Sequence, residues 1–262
     1  MAAAGVIRAD ANAAPRTGAG TIRLATLAGI ALLWEAFGQT GFVFGEALPP
    51  LSAVLPAAAR ELVGLSFYRH LGVTLGEVAA GLVLGVIPGI AIGLVLGARR
   101  ILGAAADPYI AALATTPKIV FLPIVMLAVG VGPGSKVALG AISAFFPLVI
   151  ATVAGMRAIP AVYVRVGRAF KLAPPQMVRM VYLPALALPL VTGLRLGLGV
   201  CIIGVLLGEI KFAKAGLGFL AEDYYGQYRF AELYAIVAII FVLAALANWT
   251  MSRLVRRAEA HR

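Results

Sequence analysis

The sequence predicts an all-α bundle of six membrane-crossing helices, and three observations carry that reading. Six apolar stretches, over residues 24–44, 71–98, 109–131, 136–156, 181–208 and 233–252, are each long enough to span a bilayer. A helix needs about 20 such residues, because each advances about 1.5 Å through about 30 Å of hydrocarbon. The composition agrees: 62% of the 262 residues are hydrophobic, only 13% are charged, and the mean hydropathy is +0.99. A soluble domain carries about 25% charge, so too little polar surface remains here to coat a soluble globule. Finally, Lys and Arg concentrate in the short segments between the apolar runs. In lipid only helices or closed barrels satisfy the backbone, and these runs are too long and continuous for barrel strands.

Taken in order, residues 1–23 are rich in Ala and Gly and hold Arg8, Arg16 and Arg23. They lack the compact apolar core of a secretory signal and read as a cytosolic tail. The first span carries Trp34 and Glu35. The outer segment after it contains Leu48-Pro49-Pro50 and a short interfacial helix around residues 57–62. The second span carries a ladder of Gly81, Gly85, Gly89, Gly93 and Gly97. Four residues is just over one helical turn, so these glycines form one smooth ridge that lets another helix approach closely. The ridge serves packing or a sliding surface, and Pro88 within it predicts a kink. Gly193, Gly197, Gly204 and Gly208 repeat the pattern in the fifth span.

Lysine and arginine placement sets the orientation. With both termini in the cytosol, fourteen basic residues fall inside and six outside, while Lys118 and Arg195 lie within spans. The net charge of +11 is thus a topology signal, not the basic groove of a nucleic-acid binder. Cys201 has no second thiol to pair with, and His70 and His261 are far apart in sequence, so no metal site is expected. Tyr224, Tyr225 and Tyr228 suit a membrane–water boundary. The closing residues 253–262 form a basic cytosolic tail.

Charges inside spans are costly and so are functional candidates. Lys118, between Pro117 and Pro123, and Arg195 either attract an anionic solute along a pathway or serve structure, through an ion pair, for example with Glu35, or by snorkelling. Glu77 lies in the second span, and Glu209 is expected to pair with Lys211 or Lys214. Phe145-Phe146-Pro147 interrupts the fourth span, where the two rings are gate candidates or ordinary packing.

The segment 157–179 holds five cationic residues and no acidic one. It predicts two short helices broken near residues 171–174, with Pro174 or Pro175 opening the second. Tyr163, Val166, Phe170 and Met177 are interleaved with the charges, a surface that can seat an apolar patch inside a steering basic rim. This stretch resembles the coupling loop of binding-protein-dependent ABC importer permeases. That pattern is Glu-Ala-Ala, three residues, Gly, nine residues, Ile, one residue, Leu-Pro. Val181 stands at the Ile position, followed by Leu183-Pro184. Arg165, Val166 and Gly167 replace Glu-Ala-Ala, and Lys171 replaces the Gly. A lysine at the break either accepts positive φ at a cost of about 1 kcal/mol or continues the helix.

Trp34-Glu35, Thr116-Pro117-Lys118-Ile119, Phe145-Phe146-Pro147, Thr192-Gly193-Leu194-Arg195, Gly208-Glu209 and Gly216-Leu217-Gly218 are similar to the nitrate/sulfonate/taurine branch of that family. The resemblance implies a type I importer permease fold in the bacterial inner membrane. It also implies a homodimeric pathway for a small anion, ATPase subunits on the loop, and a periplasmic binding protein at the outer face. Gly130 to Lys136 has the flavour of a phosphate loop but the wrong residue order. The chain itself is therefore expected to bind no cofactor, with ATP and Mg held by the partner ATPase. The alternatives are an ion-coupled secondary transporter, which predicts inverted repeats not evident here, and a non-transporting membrane scaffold.

Overall fold

The structure, a computed structural model, describes residues 16–41 and 47–260. Residues 1–15, most of the expected N-terminal tail, lie outside the described residues, as do 42–44 of the first expected span and His261 and Arg262 of the basic tail.

Among the described residues the elements are helical throughout. They are α1 (Arg16–Thr40), α2 (Leu51–Val63), α3 (Leu65–Ala98), α4 (Arg100–Thr115), α5 (Leu122–Val129), α6 (Pro133–Arg157), α7 (Ala161–Ala169), the single turn α8 (Pro174–Met177), α9 (Leu183–Phe212), α10 (Leu217–Gly226) and α11 (Phe230–Ala260). A 3₁₀ turn at Lys118–Phe121 precedes α5, and a π turn at Val178–Tyr182 precedes α9. Among the described residues, five helices are long and apolar enough to cross a membrane, or six spans if the bent pair α4 and α5 counts as one.

That pair corrects the expectation of one continuous helix over 109–131. The chain enters α4 directly from α3 through Arg99, and α4 and the following helix meet at 93°. The cause is local. Thr116 precedes Pro117, whose ring disfavours helical dihedrals in the residue before it, and Thr116 is extended at φ −61°, ψ 131°. Pro123 then suits the first turn of α5, where its missing donor costs nothing.

The core is a three-helix stack with α6 in the middle. Going along α3, Gly81 faces Val137, Gly85 faces Ala141 and Ala144, Gly89 faces Leu148, Gly93 faces Thr152 and Gly97 faces Met156. Both series rise together, so α3 and α6 run parallel. On the other face of α6 the order reverses: Gly208 meets Lys136, Gly204 meets Leu139, Gly197 meets Leu148 and Gly193 meets Ala151. Helix α9 is therefore antiparallel to α6. A Cβ added at Gly93 would lie 2.5 Å from Thr152 Cβ, and one at Gly85 2.5 Å from the Ala141 carbonyl oxygen. Such approach is open only to residues without a side chain. Lipid offers no hydrophobic drive between helices, so this close van der Waals contact supplies the association. Pro88 and Pro147 both sit inside unbroken helices, α3 and α6.

Helix α1 stands apart from this stack. Its described residues are exposed or half-buried. It is tied in near its C-terminal end, where Trp34 Nε1 donates to the Pro49 carbonyl at 3.0 Å and Glu35 accepts from Ser52 N and Oγ at 3.0 and 2.7 Å. The Trp34 ring also meets Tyr234 of α11 edge to face. A second cluster forms where α3, α10 and α11 meet, around Phe67, Leu217, Leu220, Tyr224 and Ile236.

Candidate functional site

The segment joining α6 to α9 is built around one turn. At the end of α7, Leu172 N donates to Gly167 O at 3.1 Å and Lys171 N to Arg168 O at 2.9 Å. These two bonds make a Schellman motif, which requires its C′ residue to be left-handed. That residue is Lys171, at φ +52°. The sequence left two options for this position, and the chain takes the turn with lysine in it. Helix α8 then starts at Pro174, with Gln176 Oε1 accepting from Ala173 N at 2.8 Å.

Gly167 and Met177 lock the two helices together. A Cβ at Gly167 would stand 2.8 Å from Met177 Sδ, and Met177 is only 8% exposed. Met177 is thus a brace inside the loop, not an exposed anchor as the sequence pattern implied. Phe170, by contrast, is 77% exposed at the tip. Tyr163 and Val166 are also exposed, as are Arg165, Arg168, Lys171 and Arg179, none of which forms an ion pair among the described residues. Val181 lies in the π turn, and Leu183-Pro184 opens α9, so the loop runs without a break into that span. An apolar cavity of about 1340 Å³ separates the loop from the ends of α6 and α9, lined by Ile159, Tyr163, Val166, Phe170, Pro184 and Leu188 among others.

The in-span charges separate into three groups. Lys118 makes no pair with Glu35. Its ammonium donates to the carbonyls of Leu113, Ala114 and Thr116 at 2.7–3.0 Å and lies 5.2 Å from the Phe146 ring. An ammonium has three donors, and all three close the end of α4, where a cation is also favoured by the helix dipole. Phe146 is buried, Phe145 half-buried, and their rings meet edge to face at 5.1 Å.

The second group lies where α3, α6, α9 and α10 converge, and it corrects the expected pairing of Glu209 with Lys211 or Lys214. Glu209 is fully buried; its Oε1 accepts from Thr74 Oγ1 at 2.7 Å and its Oε2 from Gly218 N at 2.7 Å. Thr74 Oγ1 in turn accepts from Leu217 N at 2.8 Å, and His70 Nδ1 accepts from Gly216 N at 3.1 Å. Three successive amides at the start of α10 are thereby capped from α3 and α9. Gly216 itself sits at φ +117°, a conformation L side chains rarely adopt. Glu77 and Lys136 are buried beside Glu209, and Lys136 Nζ donates to the carbonyls of Val131, Gly132 and Phe212. His70, Thr74 and Glu77 share one face of α3 by their spacing, a signal present in the sequence. Further out, Tyr224 Oη donates to Glu61 Oε1 at 2.5 Å, tying α10 to α2. Burial and that carboxylate push the phenol up from its ordinary range, so it remains a donor at neutral pH.

The third group is Arg195, exposed on α9, whose Nε donates to Asn248 Oδ1 of α11 at 2.7 Å. Asn248 was not anticipated; an isolated amide in an otherwise apolar span was its only mark.

A parallel-and-antiparallel stack of spans, with an exposed basic loop feeding straight into one of them, defines a multi-pass membrane transport subunit. The model of the family described as "Binding-protein-dependent transport system inner membrane component" matches residues 81–260. The chain belongs to this family of ABC importer permeases. It is 30% identical to the SsuC permease of Bacillus subtilis, whose name assigns it to aliphatic sulfonates, over 85% of this chain and 80% of that one. It is 26% identical to the taurine transport system permease protein TauC of Escherichia coli, over 90% and 88%. It is 30% identical to the bicarbonate transport system permease protein CmpB of Synechococcus elongatus, over 84% and 81%. Among solved structures, a chain of the inward-facing MetNI methionine ABC transporter shares the fold with a TM-score of 0.66 at 21% identity, covering 74% of this chain and 96% of that one.

Proposed function

We propose that two copies of this chain form the translocation pathway of an importer for a small oxyanion, driven by ATPase subunits that dock on residues 157–179. ATP and Mg belong to those subunits. A periplasmic binding protein delivers the solute to the face carrying α2 and α10, and both termini lie in the cytosol. ATP binding draws the ATPase pair together and moves the loop, and the spans rock between outward- and inward-facing states. Transport follows from coupling that two-state equilibrium to ATP. Phe145 and Phe146 narrow the path, and Lys118 braces the break beside them.

The supporting observation is Phe170. It is an exposed aromatic among unpaired cations, held by a Schellman turn and continuous through Val181 and Pro184 with α9. Aromatic anchors of this kind dominate the energetics of docking, while the basic rim sets approach and register. The anionic solute is supported by the names of the relatives. Co-purification tests the docking: Phe170→Asp should lose the ATPase subunits while the permease stays folded, and an intact complex would count against this surface.

A further inference from the structure

Arg195 and Asn248 pose a problem that packing alone does not answer. Thr192, Arg195, Leu196, Gly199 and Ile203 fall on one face of α9 by helical spacing. That face is open: Thr192, Arg195 and Gly199 are exposed, Leu196 is 60% and Ile203 58% exposed, and nothing lies within 4 Å of a Cβ built at Gly199. The opposite face, with Gly193, Gly197, Cys201, Gly204 and Gly208, is buried in the stack. Among the described residues Arg195 makes one hydrogen bond, from Nε to Asn248 Oδ1, and no carboxylate comes within ion-pair distance. The guanidinium therefore keeps its full charge within a span, where charge is expensive unless something complements it.

The chemistry of the pair says what that complement is. Guanidinium is donor-only, so the amide must turn its oxygen toward it. With Nε taken, the free edge is the fork of the two terminal nitrogens, which matches two oxygens of a planar or tetrahedral oxyanion. A neutral amide orients the fork without cancelling its charge, whereas a carboxylate at the same place would do both.

We propose that Arg195 and Asn248 form an oxyanion-selecting site on the open face of α9, Arg195 contacting the anion and Asn248 positioning it. This rests on the reading of the chain as an importer of small oxyanions. A structural pair and a selecting pair rank two substitutions oppositely. For a purely structural bond, N248D keeps the partner and N248A loses it, so N248A is the worse variant. For an oxyanion site, N248D neutralises the fork and becomes the worse variant in uptake, while its thermal stability matches or exceeds wild type.

The test is uptake by the assembled importer in proteoliposomes, with labelled nitrate, bicarbonate, taurine and methanesulfonate as probes, beside thermal unfolding of each variant. The expected result is uptake of at least one probe by wild type, loss of at least tenfold in N248D, a smaller loss in N248A, and no loss of stability in N248D. Wild-type uptake with N248D unaffected, or with N248A the more impaired, overturns the site alone. Uptake of none of the four probes overturns the oxyanion reading itself. A lipid phosphate on the same fork would instead show as stabilisation by phosphatidylglycerol that R195Q abolishes with uptake unchanged, and this too overturns the proposal.

Discussion

Thr74 and Glu209 tie three helices together: the threonine hydroxyl donates to the carboxylate at 2.7 Å while accepting from Leu217 N at 2.8 Å. Through this one hydroxyl, α3, α9 and the start of α10 are fixed to one another. Removing it strands buried groups, which costs about 1–3 kcal/mol for each left unsatisfied. Thr74→Val should therefore lower the unfolding temperature in detergent, and Glu209→Ala should lower it further by also freeing Gly218 N. Limited proteolysis of the 213–229 segment should accelerate in both. Unchanged protease resistance would show that α10 is held by its apolar contacts alone.

The glycine ridge makes a contrast within a single helix. Gly93 faces Thr152 closely enough that a Cβ would collide at 2.5 Å, whereas Gly76 has nothing within 4 Å. Gly93→Leu should separate α3 from α6, with overpacking costs of about 1–3 kcal/mol or more. Gly76→Leu should be neutral or slightly stabilising, since glycine is a poor helix former. Thermal unfolding of the two variants checks this, and equal effects would contradict the register of α3 against α6.

Much of this was legible in the sequence because lipid imposes simple rules. Apolar run length located the long helices, and a four-residue glycine spacing located the packing face of α3. The two-helix form of the loop followed from Pro174 and Pro175. What escaped notice depended on three-dimensional partners. The break at Thr116-Pro117 was masked by an apolar composition that continues on both sides, although the proline rule points to it. Met177 reads like Phe170 in a pattern of alternating apolar residues, and only the close approach to Gly167 buries it. Glu209 has lysines two and five positions along its own chain, yet its partners are the hydroxyl of Thr74, far away in sequence, and the amide of Gly218.

Lys171 offers a direct test of the turn. Glycine reaches φ +52° without the Cβ penalty, so Lys171→Gly should raise stability by up to about 1 kcal/mol. A drop in unfolding temperature would mean that the lysine continues the helix in the membrane.

The two apolar residues of the loop should respond differently. Phe170→Asp alters only an exposed tip, so the purified permease should keep its unfolding temperature while losing its ATPase partner. Met177→Asp buries a carboxylate against Gly167, so it should lower the unfolding temperature as well. If both variants lose the partner with no change in unfolding, Met177 is not a brace.

The sidedness of the 157–179 segment decides the account. Cys201, the native thiol, is fully buried, so a cysteine introduced at exposed Ala173 gives a clean signal for a membrane-impermeant maleimide. Labelling of Ala173→Cys should be absent in cells with a permeabilised outer membrane and strong in inside-out vesicles. Strong labelling in the cells would place the segment on the periplasmic side and contradict the docking of any ATPase there.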